Sequence, residues 1–114
     1  MKEEKESNDM LVHITARYQV QPQAVDKCVR AVQQLIDYVK EHEPMTLFYL
    51  ANQELLDRTK FLHIIVFENE LGLKTHQSSP ASKKFVETVY PETLKPLEFM
   101  EYNVFASKSE NWRS

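Results

Sequence analysis

Residues 61–67, Phe-Leu-His-Ile-Ile-Val-Phe (FLHIIVF), carry large apolar side chains on both faces of any strand they form, with His63 the one polar interruption. Successive side chains of a strand point to opposite faces. Phe61, Ile65 and Phe67 therefore lie on one side and Leu62, Ile64 and Val66 on the other. A strand apolar on both faces belongs in the middle of a sheet that is covered on both sides. This run is the expected centre of the fold, and the rest of the chain is placed around it.

Upstream, residues 54–59 read as a polar loop, and residues 45–53 (MTLFYLANQ) as a second strand rich in aromatic and aliphatic side chains. Before that, Val25, Cys28, Val29, Val32, Leu35, Ile36 and Val39 recur in steps of three and four, the single apolar stripe of an amphipathic helix. Pro22 opens that segment and Pro44 stops it, with Asp26 near its start and Lys40 and His42 near its end, as the helix dipole favours. The run 10–20 (MLVHITARYQV) alternates, Val12, Ile14, Ala16, Tyr18 and Val20 against Leu11, His13, Thr15, Arg17 and Gln19, and predicts a first strand.

Downstream, Asn69 is placed to cap a short helix over 70–77, which sets Leu73 and His76 on one face. Ser79-Pro80 restarts a helix carrying Ala81, Phe85, Val86, Val89 and Tyr90, broken by Pro91 and Pro96. Residues 97–106 (LEFMEYNVFA) alternate again as a last strand. The order is βαββααβ, an α+β ferredoxin-like pattern with a four-stranded antiparallel sheet and helices on one face. Helices on one face leave the other uncovered. Exposing one of the triplets of the third strand forfeits roughly 1.5–3 kcal/mol per side chain relative to burial. The expected remedy is a homodimer in which two sheets pack about a two-fold axis; the alternative is that tail residues fold across that face.

Length and composition agree with one small domain. The chain has 114 residues, with 10–106 as the folded unit, 1–9 an expected disordered tail and 107–114 a C-terminal tail. Fourteen basic and seventeen acidic residues give a net charge of −3, and no stretch gathers Lys and Arg on one face. Nucleic acid and a membrane surface are therefore not expected partners. Cys28 is the only cysteine, no apolar run reaches membrane-spanning length, and residues 1–9 lack the apolar segment of a secretory signal, so a cytoplasmic setting is expected. A single glycine leaves no phosphate-binding loop, which disfavours nucleotide and flavin cofactors of the usual kinds.

The stretch 67–85 (FENELGLKTHQSSPASKKF) resembles the antibiotic biosynthesis monooxygenase domain: an aromatic ending the third strand, an acidic turn, a short helix ending in histidine, Ser-Pro, and a helix with an aromatic some five residues on. Phe67, Glu68, Asn69, Leu73, His76, Ser79, Pro80 and Phe85 hold those places, and residues 14–32 resemble the family's first strand, turn proline and first helix. The resemblance spans about residues 10–106. It implies a dimeric α/β barrel that oxidises an electron-rich aromatic, a quinol or polyketide-like phenol, with O2 and without a cofactor. The chain departs from the pattern at two turns, where Gln23 and the pair Pro44-Met45 stand in place of common glycines.

His76 holds the family's histidine position and is the candidate base, since imidazole titrates near neutrality and can take a phenolic proton; the plain alternative is a structural histidine. Tyr49, Phe67, Phe85 and Tyr90 are candidate walls for a planar substrate, or ordinary core. His13 and His63 fall on adjacent central strands and either share a polar pocket wall or face a partner subunit. No His-x-His or cysteine cluster signals a metal, and none is expected. Cys28, on the apolar stripe, reads as an inert buried thiol, and Trp112 either as an anchor of the C-terminal tail on the partner or as part of a disordered end. Relatives that degrade haem use a tryptophan near the place of His76, a histidine on the next helix and an asparagine in the first strand. Here Val86 stands near the second of these places and the first strand has no asparagine, so the resemblance speaks against haem. A non-catalytic small-molecule-binding or stress-response dimer, or an isomerase on the same scaffold, is the other reading.

Overall fold

The computed structural model describes residues 10–108. The expected tail at 1–9 and Trp112 lie outside the described residues. Strand β1 (Val12–Gln19) leads through a short 3-10 turn, Pro22–Ala24, into helix α1 (Val25–His42). Strands β2 (Thr46–Gln53) and β3 (Lys60–Phe67) follow, then helices α2 (Glu70–Gln77) and α3 (Pro80–Val89), a 3-10 turn at Tyr90–Glu92, and strand β4 (Glu98–Tyr102). The sheet order is β2-β3-β1-β4 with every neighbour antiparallel, the α+β ferredoxin-like arrangement. β3 is central, as its doubly apolar sequence requires.

Register assigns the faces. Val12 pairs with Phe67, Ile14 with Ile65, Ala16 with His63 and Tyr18 with Phe61, so these eight side chains share the face beneath the helices. α1 lays Cys28, Ala31, Val32, Leu35 and Val39 onto that face, all buried. Tyr18, Val20, Cys28, Phe61 and Val89 form one core cluster with Phe85 and Leu97 against it. Val12, Ile65 and Phe67 form a second, flanked by Ile14, Tyr49 and Leu73. Cys28 is fully buried, and burial raises its thiol pKa.

The caps form as their residue types dictate. Asn69 Oδ1 accepts from the Gly72 N–H at 3.0 Å, and Ser79 Oγ accepts from the Ser82 N–H at 3.0 Å with Pro80 next in line. Gly72 is required by close approach and not by backbone conformation: a Cβ there would lie 3.0 Å from Met45 Cβ and 3.1 Å from the Met45 carbonyl oxygen. α2 thus seats tightly on the turn between α1 and β2, where Glu68 N–H also donates to the Met45 carbonyl at 2.8 Å. No described residue has a positive φ, so the two turns that lack the family's glycines are made without left-handed backbone.

The last strand is shorter than the expected 97–106. Its pairing with β1 runs from Glu98↔Arg17 to Tyr102↔His13, next to the start of β1 at Val12, so residues 103–106 continue past the end of the sheet.

Candidate functional site

Between the two core clusters the helix-covered face encloses a cavity of about 540 Å³, within the range of small-molecule sites. β1 contributes Ile14, Ala16 and Tyr18, β2 Tyr49, β3 His63, Ile65 and Phe67, α2 Leu73 and His76, and α3 Phe85 and Val86. Tyr90 and Leu97 close one end, and Phe99 and Glu101 of β4, both exposed, mark where it opens. The walls are mainly apolar, and the polar groups gather in two places.

The first is His76. The loop after α1 turns inward at Glu43, which is 5 % exposed, because Pro44 forbids helical continuation and keeps the preceding residue out of the helical region. Glu43 Oε1 lies 2.9 Å from His76 Nδ1 and accepts a second hydrogen bond from Thr46 Oγ at 2.8 Å. An acceptor-only carboxylate fixes the proton of a neutral His76 on Nδ1. Nε2, the bare nitrogen of that tautomer, has no hydrogen-bond partner among the described residues. The backbone is held as well, Ser82 Oγ donating to the His76 carbonyl at 2.6 Å. Phe67 and Tyr49 pack on the ring at centroid distances of 5.4 and 5.9 Å.

The second is His63, 2 % exposed. Its Nε2 lies 2.7 Å from Tyr18 Oη and its Nδ1 2.8 Å from Tyr49 Oη. Burial, with a smaller contribution from His76, pushes its pKa down to about 4, so at neutral pH it is an uncharged imidazole. Burial likewise raises both phenols above their ordinary range, helped at Tyr18 by Tyr49 and at Tyr49 by the Glu43 carboxylate. Both phenols keep their protons at neutral pH. Phe85 sits 5.8 Å from the His63 ring and 6.3 Å from Tyr90, whose pKa burial also raises.

Six of the seven residues singled out from sequence therefore line one cavity: His63, His76, Tyr49, Phe67, Phe85 and Tyr90. His13 does not. Its partners across the sheet are Val66 and Tyr102, which places it on the opposite face with Thr15 and Arg17. The shared pocket wall of His13 and His63 is thus corrected by strand parity: Ala16, not His13, stands beside His63. Sequence reading passed over Tyr18 and Glu43. The inward phase of Tyr18 on β1 was the available signal for the first; nothing local marked the second. Among the described residues no three His, Cys, Asp or Glu side chains converge as a metal site.

Known structures share this fold. A candidate antibiotic biosynthesis monooxygenase of Bacteroides thetaiotaomicron is 16 % identical with a TM-score of 0.82, over 90 % of this chain and 97 % of that one. A second candidate of that description, from Caulobacter crescentus, is 16 % identical with a TM-score of 0.81, over 93 % and 100 %. A conserved protein of Methanosarcina mazei is 20 % identical with a TM-score of 0.76, over 87 % and 97 %. No curated protein matches the chain. The sequence profile of antibiotic biosynthesis monooxygenases matches residues 11–88, from the first strand through the His76 helix and most of the next. With its fold and the match over most of its length, the chain belongs to the antibiotic biosynthesis monooxygenase family.

Proposed function

We propose that the chain is a cofactor-independent monooxygenase acting on an electron-rich aromatic, a quinol or a polyketide-like phenol. The observation that carries this reading is the pair of buried Glu43 and half-buried His76, 2.9 Å apart, on the wall of an apolar cavity. Glu43 holds the Nδ1 proton, and Nε2 takes the proton of a bound phenol. The phenolate so formed is a strong electron donor and reduces O2 directly. For a quinol the balance closes without an added reductant: quinol and O2 give a hydroxyquinone and water, all four electrons coming from the substrate. Phe67, Phe85 and Tyr90 wall the ring and exclude water. Family membership supports the reaction class; the substrate and the roles of the residues rest on this geometry.

The test is oxygen uptake with 1,4-naphthohydroquinone and with 1,8-dihydroxyanthrone after chelator treatment, for the native protein and His76→Ala. Loss of roughly 10²–10⁴-fold over background is expected in the variant; equal uptake by both would remove His76 from the mechanism.

The active form is proposed to be a homodimer. The face away from the helices leaves Phe48 40 %, Leu50 44 % and Met100 56 % exposed, around Leu62 and Ile64 of the central strand. Apolar area of this kind is stabilised by a second sheet. Sedimentation of Ile64→Lys as a single chain, against two chains for the native protein, is the expected result; a native protein that sediments as one chain at micromolar concentration would contradict it.

A further inference from the structure

The two hydrogen bonds at His63 leave one proton over. Tyr18 Oη and Tyr49 Oη each meet a ring nitrogen, at 2.7 and 2.8 Å. A neutral imidazole has one N–H donor and one bare nitrogen acceptor. One phenol must therefore donate to the bare nitrogen, while the other accepts from the N–H. The accepting phenol still has its own O–H to place. Among the described residues, each phenol oxygen has only the ring nitrogen as hydrogen-bond partner.

The surroundings of the two rings distinguish the phenols. Both phenols line the cavity, but Tyr18 is 4 % exposed, its ring stacked on Phe61 at 5.0 Å and edge-on to Phe85, which leaves its O–H the less free to turn toward a ligand. Tyr49 is only partly buried and stands beside His76 on the cavity wall. The economical arrangement has Tyr18 donating to Nε2, the Nδ1–H donating to Tyr49, and the Tyr49 O–H turned to the cavity.

We infer that Tyr49 is the cavity's hydrogen-bond donor, aimed by Tyr18 and His63, and that it selects a ring bearing a carbonyl oxygen. This rests on the reading of the cavity given above and narrows it. With His76 as the proton acceptor 5.9 Å away between ring centres, the two polar groups fit a hydroxylated aromatic ketone, its hydroxyl to His76 and its carbonyl to Tyr49. In this arrangement Tyr18 and His63 act through Tyr49, as positioning residues.

Two measurements test this without any turnover, so a failure of the oxygenase reading leaves them intact. The first is calorimetric binding of 1-tetralone and of tetralin, which has the same skeleton without the oxygen. Tyr49→Phe is expected to weaken 1-tetralone roughly three- to tenfold while leaving tetralin unchanged. No binding of 1-tetralone to the native protein, an unchanged affinity in the variant, or an equal loss for both probes overturns the inference. The second is the ¹⁵N spectrum of the His63 ring in the unmutated protein at neutral pH, which does not depend on the variant folding. A protonated Nδ1 with a bare Nε2 is expected. The reverse tautomer, or a doubly protonated ring, overturns the assignment of the free O–H to Tyr49.

Discussion

His63 meets a phenol at each ring nitrogen, whereas His76, across the same cavity, meets a carboxylate at Nδ1 and has no hydrogen-bond partner at Nε2 among the described residues. The residue type is the same and the neighbours make the difference. With both nitrogens occupied in a nearly dry site, His63 is held neutral and its proton is committed to orienting other groups. In the proposed reaction Glu43 leaves His76 one acceptor nitrogen and supports the imidazolium formed when that nitrogen takes the substrate proton. A histidine in a cavity is thus no indicator of function until both of its nitrogens have been accounted for.

Acid acts on the state of His63. The folded-state pKa of His63 lies near 4 against an ordinary 6.5, so between those values the unfolded chain binds the extra proton. Stability from neutral His63 is complete above about pH 6.5 and is lost as the pH falls towards 4, by about 3 kcal/mol in all. Urea titrations at pH 7 and pH 4 should show that loss in the native protein and much less of it in His63→Gln. Equal losses would mean that His63 is not the group being titrated.

Replacing the carboxylate is the next largest effect. In Glu43→Gln an amide can donate to Nδ1, which favours the tautomer with Nε2 protonated and unable to act as a base. A fall in kcat on the order of a hundredfold with little change in KM is expected. A rise in KM with kcat preserved would mark Glu43 as a group that merely shapes the cavity.

The smallest change acts through backbone. Gly72→Ala puts a methyl group 3.0 Å from Met45 Cβ and 3.1 Å from the Met45 carbonyl. Crowding costs roughly 1–3 kcal/mol and alanine's helix preference returns about 1 kcal/mol. A net destabilisation of about 1 kcal/mol should appear in the urea midpoint, with oxygen uptake lowered because α2 carries His76. A more stable variant would show that α2 has room to move.

Most of the fold follows from period and punctuation. Helix α2 ends at Gln77 and α3 begins at Pro80, as Asn69 and Ser79-Pro80 direct. The central position of β3 follows from apolar residues on both its faces. The site was readable where it rests on local pattern, since Leu73 and His76 stand three residues apart on one helix. It was not readable where it rests on pairing between distant strands. His13 and His63 lie on neighbouring strands, but only the register Ala16↔His63 shows that they face opposite ways. Glu43 is 33 residues from His76, and a glutamate before a proline at a helix end resembles any solvated loop residue. Tyr18 looked like core because an alternating strand gives core and cavity walls the same phase.

The central claim, that His76 and not His63 moves the proton, is tested most directly by chemical rescue. Oxygen uptake with 1,8-dihydroxyanthrone is measured for His76→Ala and His63→Ala with and without added imidazole at millimolar concentration. Imidazole entering the vacated space beside Glu43 should restore a substantial part of the activity of His76→Ala and none of that lost in His63→Ala. Restoration in His63→Ala alone, or full activity in His76→Ala before imidazole is added, would contradict the account.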